Sequence, residues 1–289
     1  MNHATHAAPR RIAFTAAAMT AGLIASSALT IGLASVLQPA AVIQITQVIA
    51  PILTFLLPAA ACAAKYEGGI LKGLRLNQPP AARTILAATL AVLLLQPAIS
   101  LAAMINEQLT LPQFMQPIET WMRTMEDAAQ AHIEAMFNRR GPLAILYNLL
   151  VMGIIASLCE ELFFRGALMS SLQSERRTPH AAIWITAVIF SAIHLQFYGF
   201  LPRLLLGAFF GYIVAATRSL YPAIAAHFAN NALIVIIMSI PQVKATSLAT
   251  GDIPAREIWI YILATALTIP LFIQCVKKGL AEPAKPKKH

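Results

Sequence analysis

Eight separate apolar stretches, near 12–37, 41–63, 82–104, 142–172, 180–198, 200–217, 220–240 and 257–276, decide what this chain can fold into. Each is about as long as the 20 or so residues a helix needs to cross a bilayer core. Charged residues make up only 11% of the chain, where a soluble domain carries about 25%, so a lipid-facing surface is required. The expectation is an all-α, polytopic membrane helix bundle of about eight transmembrane helices, with 1–289 forming a single membrane domain. Arg10 and Arg11 precede the first stretch, but at roughly 25 residues it outruns the h-region of a signal peptide, about 7 to 15, and reads as a retained helix. The fourth stretch would be about 46 Å long at 1.5 Å per residue, so it must tilt or project beyond the membrane.

The formal charge of +9 does not call for a nucleic-acid partner, because the bases stand at the ends of apolar segments. With the N-terminus inside, fifteen Lys and Arg fall on the inner side, and six (Arg123, Arg139, Arg140, Arg203, Lys244 and Arg256) on the outer. That bias fits an even number of spans with both termini cytoplasmic; the expected location is a bacterial cytoplasmic (inner) membrane, with its lipids as partners. Cys62, Cys159 and Cys275 lie in or beside apolar runs with no CxxC pair, and read as small hydrophobes. The connection 105–141 is expected outside. It holds a helix from about Ile118 to Phe137 that mixes Glu119, Glu126, Asp127 and Glu134 with Trp121, Met122, Met125, Ile133 and Met136. Such an amphipathic helix suits a spacer packed on the bundle, or a lid or substrate-contacting element. The Pro/Lys-rich tail 282–289 is expected to be disordered, its lysines near anionic headgroups.

Ionisable residues inside apolar stretches are costly, and each is a functional hypothesis. Glu160 and Glu161 are adjacent and point about 100° apart on a helix, while Glu161 and Arg165 are i,i+4 partners able to pair. Glu160 is thereby left free to act as a base; the bland alternative is interfacial anchoring. His194 follows Phe190 by four residues and lies about 21 Å along its helix from His180, a depth that demands a partner. His227 and Asn231 share one face of the next-but-one stretch, with Asn230 rotated off it. Taken singly, the second and third sites could be interhelical polar packing. Together the three can hydrolyse an amide: Glu160 and His194 activate water, and His227 and Asn231 stabilise the charge on the carbonyl oxygen. A zinc site built from Glu160, His194 and His227 is the alternative, weakened by the absence of HExxH. The expected mechanism needs no cofactor.

These residues carry a resemblance. Glu160-Glu161 through Arg165, Phe190 through His194 and His227 through Asn231 follow, in order, the EExxxR, FxxxH and HxxxN motifs of the CAAX prenyl endopeptidase and bacteriocin-processing (CPBP, once Abi) intramembrane proteases. The likeness covers a protease core at about 142–240. It implies an intramembrane glutamic endopeptidase in which Glu160, His194, His227 and Asn231 are catalytic and Glu161, Arg165 and Phe190 supporting. The substrate would be a membrane-associated or lipidated peptide, a membrane protein or a bacteriocin-type precursor. A transporter, or a non-catalytic immunity or scaffold protein, would use the same charges differently; the lack of an internal repeat weakens the transporter.

Overall fold

The computed structural model describes residues 7–77, 79–173, 179–240 and 253–280. The chain is all-α in these regions. Helix α1 (Ala7–Ala34) precedes α2 (Pro39–Tyr66), and a single turn at Ile70–Gly73 leads to α3 (Ala82–Leu94) and α4 (Gln96–Glu107). Then come α5 (Gln116–Phe137), α6 (Pro142–Leu172), α7 (Pro179–Ala192), α8 (Phe200–Thr217), α9 (Tyr221–Ser239) and α10 (Ile258–Leu280). The tail 282–289 and the side chain of Cys275 lie outside the described residues.

The structure supports the expected apolar helix bundle, but not specifically eight spans. Among the described residues five helices are long and apolar enough to cross a membrane: Pro9–Ala34 within α1, then α2, α6, α8 with the turn before it, and α9. A sixth results if α3 and α4, bent by 40°, form one broken span. Helix α7 and the apolar part of α10, Ile258–Leu271, are shorter. Two local causes account for the differences. Pro97 cannot donate to the helical ladder, and the side chain of Gln96 donates to the carbonyl of Val92 at 3.1 Å, so the third stretch breaks there. The fifth stretch ends at Ala192 because Leu195 takes a left-handed φ of 53°. His194 therefore stands in a turn just past the helix, not within it.

Lipid offers no hydrophobic gain for bringing helices together, so close approach depends on small residues. Helix α7 packs on α8 where Gly207 faces Ala187 and Phe190, and where Gly211 faces Ile183. Gly153 of α6 admits the ring of Phe228 from α9. The tightest contact is at Gly22 of α1, where a Cβ would collide with the backbone carbonyl of Leu53 in α2. Gly22→Ala should cost about 1–3 kcal/mol, read as a lowered thermal midpoint in detergent. Gly32→Ala, where the added methyl meets open space, is the control and should leave the midpoint in place.

Helix α5 begins two residues before the expected position and ends at Phe137 as expected. It has no buried residue, and crosses the turn that follows His194. The Trp121 ring lies 5.2 Å from that of Phe197, Arg123 sits 4.7 Å over Tyr198, and the Tyr198 N–H donates to Glu126 at 3.2 Å.

Candidate active site

Helix α6 is wider than a regular helix in two places, Leu149–Ile155 and Leu162–Leu168, where the chain forms π-turns. Such turns disturb the i→i+4 ladder and recur at functional sites. Glu160 and Glu161 lie on the α-helical turn between them.

Glu161 is fully buried, and its Oε1 accepts from Arg165 Nη1 at 2.7 Å. Arg165 is 1% exposed and donates through Nη2 to the Gly207 carbonyl at 3.0 Å, so it does not reach for an interface. Its guanidinium lies 4.7 Å from the Phe190 ring, 5.4 Å from Phe210 and 5.9 Å from Phe164, an aromatic cage that suits a planar cation. The pair expected from the i,i+4 spacing is thus built into the core of the bundle.

The same Glu161 oxygen lies 2.9 Å from His227 Nδ1. An ionised carboxylate only accepts, so the proton of that bond sits on Nδ1. The ring is stacked on Phe210, 4.9 Å away and tilted by 18°, with Phe190 edge-on at 6.0 Å. These contacts aim Nε2 at Glu160, whose Oε2 is 3.8 Å away. That gap is too long for a hydrogen bond but close enough for an ion pair. The Glu160 side chain is 15% exposed, in contrast with its buried neighbour. The adjacent carboxylates have divided the work: one is bonded twice through Oε1 and holds a histidine, and the other is open.

His194 Nδ1 lies 2.7 Å from the Phe190 carbonyl, which only accepts, so Nδ1 carries the proton and Nε2 of the neutral ring is an acceptor. The Phe190 ring is 5.0 Å from His194, and so touches both histidines. His194 is within electrostatic range of Glu160 and His227. Among the described residues, however, the histidine at ion-pair distance from Glu160 is His227. Asn231 Nδ2 donates to the Met152 carbonyl at 2.9 Å, in the first widened turn of α6, and its Oδ1 accepts from Asn230 at 3.2 Å.

The turn carrying His194 is held from several directions. Buried Asn106 donates to the Phe197 carbonyl at 2.8 Å and accepts from the Leu201 N–H at 2.6 Å. Arg203 binds both the side chain and the carbonyl of Gln196. Sequence reasoning missed Asn106, Phe210 and Gly207. A phenylalanine or glycine in an apolar run carries no signal of its own, but Asn106 closes an apolar stretch as a lone polar residue and was open to notice.

Among the described residues no group of three or more His, Cys, Asp or Glu side chains gathers at metal-holding distance.

Residues 142–233 match the family model described as Type II CAAX prenyl endopeptidase Rce1-like. No curated protein and no solved structure matches the chain. The Rce1-like segment runs from the start of α6 into α9 and contains every residue of the three motifs. It links the chain to the CAAX protease superfamily and supports a protease-type enzyme at the level of that family; α1 to α5 and α10 lie outside the match.

Proposed function

We propose that the chain is an intramembrane endopeptidase that hydrolyses a peptide bond of a membrane-associated or lipidated substrate with water as nucleophile. The observation that carries this reading is the unequal pair of carboxylates, Glu161 spent on Arg165 and His227 and Glu160 left open at 15% exposure. Glu160 and His194 Nε2 are two acceptors for the two hydrogens of one water. The water oxygen attacks the carbonyl carbon while Glu160 takes a proton. His227, in the form that carries a proton on Nε2 as well as on Nδ1, donates through Nε2 to the developing oxyanion, and Asn231 donates its second N–H. The C–N bond then breaks, and the proton on Glu160 passes to the leaving amine. The water oxygen and one of its hydrogens end in the new carboxyl group, and the other hydrogen ends on the new amine.

An apolar cavity of ≈ 380 Å³ supports access for an extended or acylated chain. It is an open cleft between α1, α2, α5 and α6, and the α6 residues that line it are Val151, Met152 and Ala156, the last one helical turn before Glu160 in sequence. Its few polar side chains are Thr30, Thr46, Gln47 and His132.

The test uses purified protein in bicelles with two internally quenched peptides, identical except that one bears a farnesyl thioether. Cleavage of at least one is expected, with preference for the lipidated form, and it should survive exhaustive chelation. Cleavage of neither, or solute flux in proteoliposomes with the peptides intact, overturns the reading. Activity that chelation abolishes and zinc alone restores replaces the metal-independent mechanism with a metal-dependent one.

A further inference from the structure

A chain of three amides runs through the bundle beside the site. Gln96, at the bend between α3 and α4, donates through Nε2 to the Val92 carbonyl at 3.1 Å and to Asn230 Oδ1 at 3.0 Å. Asn230, 5% exposed, donates to Asn231 Oδ1 at 3.2 Å, and Asn231 donates to the Met152 carbonyl at 2.9 Å. Both ends of the chain are backbone carbonyls, which can only accept. That fact fixes all three amides. Reversing Asn231 would set its oxygen against the Met152 oxygen and its nitrogen against the nitrogen of Asn230. Reversing Asn230 creates two clashes of the same kind, and reversing Gln96 turns its oxygen toward two acceptors.

The direction matters because an oxyanion needs an N–H. A primary amide has two; one Asn231 N–H is committed to Met152 and the other remains on the same nitrogen. A reversed Asn231 would offer oxygen to a developing negative charge. We infer that Gln96 and Asn230 are positioning residues that lock the Asn231 amide with its nitrogen toward α6, an inference that rests on the endopeptidase reading. Gln96 lies outside the matched segment and outside all three motifs, so the helices before α6 contribute to the site as well as enclosing it. The bend supplies the means: it places the Gln96 side chain against both a main-chain carbonyl of α3 and an amide of α9.

A merely structural staple predicts something different, and near-isosteric replacements separate the two. Gln96→Glu removes donors. Its ionised carboxylate attracts the Asn230 nitrogen, turns the Asn230 oxygen toward Asn231 and drives Asn231 to reverse. On whichever quenched peptide the wild type cleaves, kcat should fall about 10²-fold with KM little changed, the size of effect seen when one oxyanion donor is lost. The deficit should deepen as pH rises, because only the protonated form of the introduced carboxyl has a hydrogen to donate. Gln96→Met removes guidance without inverting it, and should cost at most about a tenth of that factor. In an Asn231→Ala background Gln96→Glu should cost nothing further, since the residue through which it acts is gone. Asn230→Asp, which accepts from Gln96 but cannot donate to Asn231, is the second variant should Gln96→Glu fail to fold; it should lower kcat by a similar factor.

Rates are taken per folded molecule, with Glu160→Gln run beside them. If the wild type cleaves, Glu160→Gln does not, and the Gln96 variants match the wild type or lose activity additively with Asn231→Ala, this inference falls and the endopeptidase reading stands. If the wild type cleaves neither peptide, the reading falls and takes the inference with it.

Discussion

Glu160→Gln should lower peptide cleavage by about 10²–10⁴-fold while leaving the protein folded, the range expected when a general base is removed. The substitution keeps the shape of the side chain and an oxygen able to accept a hydrogen bond from water, so water can still bind. What it removes is basicity: a neutral amide cannot take the proton as the C–O bond forms. Folding should be spared because Glu160 is partly exposed and stands 3.8 Å from His227, beyond hydrogen-bond length. The loss should therefore appear in kcat, with detergent-solubilised yield and thermal midpoint unchanged. Glu161→Gln makes the informative contrast. The neighbouring carboxylate is buried and bonded twice, so its loss should lower the midpoint as well as the rate. Cleavage by Glu160→Gln above one tenth of the wild-type rate would remove Glu160 from the role of base.

The motifs made the carriers of the site legible because charge and amide groups are conspicuous in apolar sequence. Glu161 with Arg165 followed from helical spacing alone, and the structure places them 2.7 Å apart. The partner of Glu160 was not legible in the same way. Spacing places groups on one helix but says nothing of how helices face one another, and it is His227 that lies at ion-pair distance while His194 bonds to its own helix end. The number of spans was not legible for a related reason. Hydropathy reports composition, and a helix packed among other helices, as α7 is on α8, has no need to match the thickness of the bilayer. The left-handed Leu195 that ends this segment carries no signature, since leucine is not a residue that favours such a turn. The bend at Gln96 was legible in principle, because Pro97 follows a polar residue in the middle of an apolar run. The widened turns of α6 were not, for nothing in Leu149–Ile155 distinguishes it from a regular apolar helix.

Arg165→Met should destabilise the protein by about 3–5 kcal/mol, the cost of leaving one partner of a buried ion pair without the other. Glu161 would keep its charge in a fully buried place, with His227 as its remaining partner and its Oε2 already without a hydrogen-bond partner among the described residues. Replacing both members, Glu161→Leu with Arg165→Met, should recover much of that loss, since two apolar side chains of similar volume need no counter-charge. Stability and function should separate at this point. The double variant has no carboxylate to hold the Nδ1 proton of His227, so the ring loses the contact that aims Nε2 at Glu160, and activity should stay about 10²–10⁴-fold down even though the fold returns. Arg165→Lys should fail to substitute, because an ammonium has no planar fork to bind Glu161 and the Gly207 carbonyl together between aromatic rings. Thermal midpoints and kcat measured on the three variants decide the matter. Recovery of stability and activity together in the double variant would make the pair a structural element only; an Arg165→Met protein as stable as wild type would show that the buried charge is not held as the geometry requires.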